Sequence, residues 1–350
     1  MPQWPALKPG VIPLRPLGVG EIVDGAIAYI RANPAATLGI SAVVVTITQL
    51  LQLPAQHLYL QGLQGLAVES DQAPSLDDMA EAISGGLTIG VLGGFLGAII
   101  VTLLTGLLIV VLSSAVLGRK LSLGKAWAAA RPRLAGLLGL SLLTGLLIAA
   151  VVLIGFVPVA LAAVADAPTA ITATLGLVLI PASLCLAVFL WVSWSMVTPA
   201  YMLEGIPVMA AFGRSYRLVR PQWWRVFGIL LLAVVIATVI GGILAVPFSL
   251  GGALVEELAS DGESLGSGLV SLMIGAIGTI IATTLTAPFS AGVTGLLYFD
   301  QRIRREALDI ELARAAQLGS WSQGSGPGGP DWGSGPGGPG WGPPRPGGVG

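Results

Sequence analysis

Long apolar runs alternate along the chain with short charged segments. Six stretches, roughly 35–53, 86–117, 134–164, 170–203, 225–254 and 266–299, hold no Lys, Arg, Asp or Glu apart from Arg225 at the edge of the fifth. A membrane-spanning helix needs about 20 predominantly apolar residues, so each stretch predicts one span. The fold class that follows is all-α, a polytopic membrane protein of about six transmembrane helices. The last five stretches are longer than a bilayer requires and must tilt, kink or project beyond the hydrocarbon. Pro158, Pro181, Pro199, Pro247 and Pro288 predict kinks within them, because proline removes a backbone donor and crowds the preceding turn.

The segments between the stretches alternate in sign. All 17 Lys and Arg lie in the N-terminal arm, the second loop, the fourth loop or the tail, and the first, third and fifth loops carry acids only. The positive-inside rule then predicts that the basic loops and both termini face the cytoplasm. Adding or losing a span would place a basic loop outside, so the charge map supports the count independently of hydropathy.

Pro34, Pro132 and Pro221 each stand before a stretch on the basic side, with Tyr29, Trp127 and Tyr216 five residues upstream. This predicts three repeats of an interfacial helix, a proline-marked bend and two spans. At 100° per residue, Arg214, Arg217 and Arg220 fall within an arc of about 120°, while Phe212, Tyr216 and Val219 share another side. In 18–32, Val23, Ile27 and Ile30 share an apolar face, with Asp24 and Arg31 on the polar one. Such amphipathic helices lie in the headgroup plane. The 122–131 copy is shorter and Ala-rich.

Composition agrees: 10% of residues are charged, against about 25% in a soluble domain, too few to cover soluble surfaces. Cys185 is alone and forms no disulfide or thiolate metal cluster. Met1-Pro2-Gln3-Trp4 lacks the charged start of a secretory signal, so the first span is expected to be retained. Residues 1–16 read as a Pro-rich flexible arm, 17–315 as the membrane domain and 316–350 as a disordered tail. That tail repeats GSGPGGPDW as GSGPGGPGW and is too poor in apolar residues to offset its chain entropy. Abundant Ala, Gly, Leu and Val, with Arg in excess of Lys, point to a GC-rich bacterial genome and hence to a bacterial plasma membrane.

Intramembrane ionisable groups mark functional sites, and the apolar stretches lack them. His57, the single histidine, has only scattered carboxylates near it in sequence. The acidic run from Asp71 to Glu81 lacks the spaced oxygen ligands and central Gly of a calcium loop. No catalytic residue, cofactor or metal site is predicted. Nucleic-acid binding is not expected either, because the basic residues are spread along membrane-flanking segments.

Arg131, Arg133, Arg214, Arg217, Arg220 and Arg225 form a basic belt. Each contributes about 1 kcal/mol when close to an anionic leaflet, although topology alone accounts for the same belt. Gly86, Gly90 and Gly94 recur every four residues, a spacing that lets two helices approach closely, either within the chain or between copies of a homo-oligomer. The tripeptide Pro-Phe-Ser at 247–249 and again at 288–290 reads as tolerated kinks or as the broken helices of a transporter.

The stretches Arg15-Pro16-Leu17-Gly18-Val19-Gly20-Glu21-Ile22-Val23-Asp24-Gly25-Ala26, Ala211-Phe212-Gly213-Arg214-Ser215-Tyr216-Arg217-Leu218-Val219 and Leu297-Tyr298-Phe299-Asp300-Gln301-Arg302-Ile303-Arg304-Arg305-Glu306 carry a family likeness. Over roughly 14–315 the chain resembles the membrane domain of membrane-anchored glycerophosphoryl diester phosphodiesterases and of stand-alone bacterial proteins that share it. The likeness implies a polytopic module acting near lipids. It carries over no catalytic residue, because the phosphodiesterase is a histidine-bearing TIM barrel for which neither tail leaves room.

The expected function is therefore a non-enzymatic membrane module, lipid-associated or scaffolding, with membrane lipids and a cytoplasmic protein bound by the tail as its partners. The alternatives are a transporter or lipid translocator and, remotely, a lipid-modifying enzyme. In a background with Cys185 replaced, Ser75→Cys and Ser260→Cys are expected to react with an impermeant thiol reagent added to intact cells, whereas Lys125→Cys is expected to be protected. The reverse labelling pattern would overturn the orientation.

Overall fold

The computed structural model describes residues 15–68, 76–119, 121–165, 167–258 and 264–306. All regular structure among them is helical and falls into three successive units. The first is α1 (Val19–Ala32), α2 (Pro34–Val68) and α3 (Leu76–Val116). The second is α4 (Leu123–Ala130), a 3-10 turn at Arg131–Arg133, α5 (Leu134–Val164) and α6 (Thr169–Ser193). The third is α7 (Val197–Glu204), α8 (Val208–Val219), a 3-10 turn at Arg220–Gln222, α9 (Trp223–Leu258) and α10 (Ser264–Glu306). Pro34 opens α2, while Pro132 and Pro221 sit inside the 3-10 turns, positions where a missing N–H costs no helical hydrogen bond. The backbone thus repeats as a short helix, a proline bend and a hairpin of long helices.

Six of the described helical segments are long and apolar enough to cross a bilayer, and the protein is an all-α polytopic membrane protein. The hairpins α2/α3, α5/α6 and α9/α10 pack internally, α10 also rests on α2 and α1, and α3 packs on α5. The long helices exceed the hydrocarbon. With 43 residues, α10 is about 65 Å long at 1.5 Å per residue, twice the ~30 Å core of a bilayer. Large apolar side chains such as Leu146, Ile154, Leu177 and Ile243 are exposed, as a lipid-facing surface requires.

The core is concentrated at one end. The C-terminal halves of α3 and α10, the starts of α5 and α9 and the helices α1, α7 and α8 supply nearly all the fully buried side chains, among them Tyr29, Leu112, Leu137, Met196 and Tyr298. α4 and the α7–α8 pair each join the end of one hairpin to the start of the next, and α1 enters the first hairpin from the same side, the short-helix end, tied to α10 through Leu17 and Asp300. Tyr29 points into the bundle and its hydroxyl donates to the carbonyl of Pro288 at 2.6 Å; burial pushes its pKa upward. Gly292 makes room for it, since a Cβ there would meet Tyr29 Cε1 at 2.5 Å.

Several expectations need correction. The stretch 170–203 is not one helix: it breaks between Ser193 and Val197, and Pro199 lies in the first turn of α7, where its missing N–H is harmless. The hydroxyl of Ser215, fully buried on α8, repairs the break by accepting from Met196 N–H at 3.2 Å and donating to Ser193 C=O at 2.8 Å. The buried stripe of α1 is Ile22, Gly25, Ala26 and Tyr29, whereas Ile27 faces outward. On α8 the buried set is Ala211, Phe212, Ser215, Leu218 and Val219, while Tyr216 is exposed. Both helices turn toward protein the face that contacts α10 or the α6–α7 break, so position in the bundle outweighs the apolar arc. The arm up to residue 14 and the tail beyond 306 lie outside the described residues.

The link between α7 and α8 depends on Gly205, which takes a left-handed conformation (φ 70°) and would carry a Cβ 2.9 Å from Arg133 Nη2. Gly205→Ala is expected to destabilise the purified protein by about 1–2 kcal/mol from the backbone alone, read as a lower Tm in detergent. Gly213→Ala on α8, where a Cβ meets nothing within 4 Å, is expected to be neutral or slightly stabilising.

Candidate functional site

Charged side chains at the short-helix end fall into two partnered clusters and an unpartnered remainder. The first cluster centres on Asp300, fully buried near the end of α10. Its carboxylate accepts from Leu17 N–H at 2.8 Å, Arg225 Nη1 at 2.5 Å and Arg304 Nε at 2.9 Å. The same two guanidinium groups donate to the Leu17 carbonyl at 2.8 and 3.0 Å. Both polar groups of one residue are thereby held, and the Leu17 side chain is buried behind them. Glu21 closes the first turn of α1 by accepting from Gly18 N–H at 2.8 Å, the reciprocal half of a capping box.

The second cluster locks α7, α8 and α10 together. Glu204 accepts from Arg214 Nε at 3.0 Å and from the Tyr298 hydroxyl at 2.5 Å. Glu306 accepts from Arg214 Nη2 at 2.6 Å and from Arg302 Nε at 2.9 Å. The Arg302 guanidinium also lies 5.9 Å from the centroid of the Tyr298 ring, within cation–π range. Two carboxylates and two arginines balance here, which suits a partly buried network. Separately, Arg133 donates to the carbonyls of Tyr201 and Met202, placing a cation at the C-terminus of α7 where the helix dipole favours it.

The six belt arginines therefore divide. Arg133, Arg214 and Arg225 are taken up by internal partners. Arg131, Arg217 and Arg220 are exposed, and among the described residues no carboxylate pairs with them. Exposed aromatics accompany them: Trp127, Tyr216 and Trp224, with the Arg220 guanidinium 6.0 Å from the Tyr216 ring centroid.

Arg220 opens onto a cleft of about 490 Å³ between the end of α6 and the turn into α9, lined by Phe189, Arg220, Pro221, Gln222, Trp223, Trp224 and Arg225. Trp223 stacks on Phe189 at 5.7 Å and on Phe227 at 5.2 Å, with Trp224 edge-on at 4.8 Å. The Trp223 indole N–H is shielded from solvent and has no acceptor, whereas the Trp224 side chain is 78% exposed. This pair was readable as an aromatic anchor at the membrane interface, a signal that the charge pattern overshadowed. Asp300 offered only its i,i+4 spacing to Arg304, while its contacts with Leu17 and Arg225 and the contact of Glu204 with Tyr298 join residues distant in sequence.

The glycine stripe does not close a helix contact where it is described. A Cβ on Gly94 would meet nothing within 4 Å, and Gly86 and Gly90 lie outside the residues whose surroundings are described. The close approaches occur elsewhere: a Cβ at Gly106 would meet Leu137, at Gly136 the Tyr201 hydroxyl, at Gly145 Phe95 and at Gly278 Phe248. Phe248 of one Pro-Phe-Ser tripeptide thus packs into α10, and Phe289 of the other is buried in the core. No group of three His, Cys, Asp or Glu fit to hold a metal occurs among the described residues.

A family model described as "Domain of unknown function (DUF7847)" matches residues 17–300; no curated protein and no solved structure matches the chain. The matched segment begins at Leu17 and ends at Asp300, the two residues joined by the hydrogen bond that closes the bundle. Asp300→Asn is expected to lower stability by about 2 kcal/mol, as loss of a charged hydrogen-bond acceptor does, and to abolish hydrogen-exchange protection of the Leu17 amide. Arg305→Gln, at an exposed position on the same helix end, is expected to change neither.

Proposed function

The chain belongs to the DUF7847 family, and we propose that it is a non-enzymatic, lipid-associated membrane module whose short-helix end rests against the anionic cytoplasmic leaflet. The observation that carries this reading is the division of the arginines. Arg131, Arg217 and Arg220 stay exposed, without a carboxylate partner among the described residues, at the proline-marked corners, beside the exposed Trp127, Tyr216 and Trp224. Cations beside amphipathic rings suit a surface that meets phosphate groups on one side and acyl chains on the other. The absence of Lys and Arg from three loops supports the cytoplasmic placement of this end. The Trp-punctuated segment beyond residue 315 is the part suited to a cytoplasmic protein partner.

In nanodiscs of mixed phosphatidylglycerol and phosphatidylcholine, the full chain is expected to enrich the anionic lipid around itself. Changing Arg131, Arg217 and Arg220 together to Gln, or raising salt to about 1 M, where the screening length falls to about 3 Å, is expected to remove most of that enrichment. Indifference to lipid charge would sink the reading. Proteoliposomes are expected to show no lipid scrambling or solute release above protein-free vesicles, and robust flux would put a transporter in place of the module.

A further inference from the structure

The cleft at the α6–α9 corner sets an exposed arginine beside an aromatic wall. Arg220 stands at its rim without an ionic partner among the described residues, and the Phe189 and Trp223 rings line its wall. Arg225 also lines the cleft, but its guanidinium is engaged by Asp300 and the Leu17 carbonyl, so Arg220 is the cation left for a ligand. Arg220 suits an anionic oxygen-rich group, since arginine binds phosphate through its planar fork of N–H donors. A phosphate alone would leave the aromatic walls unused. Phe189, Trp223 and Trp224 form an apolar shelf, and below it α9 packs chiefly on α10 and only lightly on α6. Exposed apolar side chains continue away from the cleft on both helices, including Leu186 on α6 and Leu231 and Val235 on α9.

We propose that this corner is a binding site for one anionic phospholipid, with its phosphate on the Arg220 guanidinium at the rim and its acyl chains against the aromatic shelf and along the furrow between α6 and α9. The site deepens the lipid-associated reading above and rests on it. It differs from the surrounding belt in being stoichiometric: the belt gathers a mobile, salt-sensitive excess of anionic lipid, while the cleft holds a single molecule.

Native mass spectrometry of the full chain, delipidated in detergent and then offered phosphatidylglycerol or phosphatidylcholine, tests the proposal. One phosphatidylglycerol per chain is expected to survive a salt wash that strips the remainder, with phosphatidylcholine retained several-fold less. Arg220→Gln is expected to cut retention about fivefold, the size of one lost surface arginine contact, and Trp224→Leu is expected to weaken it as well. Arg217→Gln, exposed on α8 outside the cleft lining, is expected to leave retention unchanged. All three changed residues are exposed, and an unaltered Tm confirms that each variant is folded.

Equal retention of the two lipids, or equal effects of Arg220→Gln and Arg217→Gln, would overturn the site. Displacement by soluble glycerol phosphate at the concentration at which phosphatidylglycerol competes would overturn it too, since the acyl furrow would then contribute nothing. Loss of the single retained lipid while nanodisc enrichment persists would reject the cleft and keep the belt. A lipid retained without any nanodisc enrichment would support the cleft and reject the belt.

Discussion

The buried carboxylate of Asp300 holds the bundle closed. A lone ionised group in a site with no solvent access would cost several kcal/mol, yet here three donors converge on it, two of them cationic. The two guanidinium groups, still about a quarter exposed, keep part of their hydration, so the desolvation penalty falls mainly on the carboxylate. What this arrangement fixes is the Leu17 peptide, 283 residues away in sequence. Once Leu17 is held, α1 begins in a set direction, its buried stripe meets α10, and Tyr29 reaches the Pro288 carbonyl. Pro288 has no N–H of its own, so the carbonyl left without a helical donor is that of Thr284, one turn before the Tyr29 anchor.

A second constraint shapes the middle of the chain. Backbone polar groups that lose a helical partner at membrane depth must find another within the protein. The break after Ser193 satisfies this with Ser215, whose single hydroxyl serves one donor and one acceptor across the gap. The consequence is mechanical: α8 must lie against the end of α6, which brings Arg214 to Glu204 and Glu306. The Arg214 network thus stabilises an arrangement that a backbone hydrogen-bonding requirement already imposes.

These two constraints explain what the sequence reveals and what it conceals. Span number, proline bends and the three-unit plan are legible, because each follows from local hydropathy or from the conformational limits of one residue type. The division of the arginines is not legible. Arg214 and Arg217 share an arc on one helix, yet only Arg214 faces Glu306, and that depends on where a helix 92 residues later ends. Likewise the regular spacing of Gly86, Gly90 and Gly94 does not say which partner it would serve: Gly94 faces no neighbour within the chain, while irregularly placed glycines such as Gly106 and Gly292 admit large side chains. Which glycine faces a neighbour is set by helix rotation in the bundle, and these helices are too uniformly apolar for their sequence to fix it.

The three units share one backbone plan but use its corners differently. In the first, the aromatic residue turns inward and Tyr29 is consumed by the core. In the second, Trp127 stays outside but Arg133 is spent on the carbonyl ends of α7. In the third, Asp300 and the Leu17 carbonyl hold Arg225, while Arg220, one turn earlier, keeps its charge for the outside. A repeated scaffold can acquire a ligand site at one corner only when that corner has donors left over. Arg131 is also left over at the second corner, but the α6–α9 corner sets its uncommitted cation, Arg220, at the rim of a cleft walled by Phe189, Trp223 and Trp224.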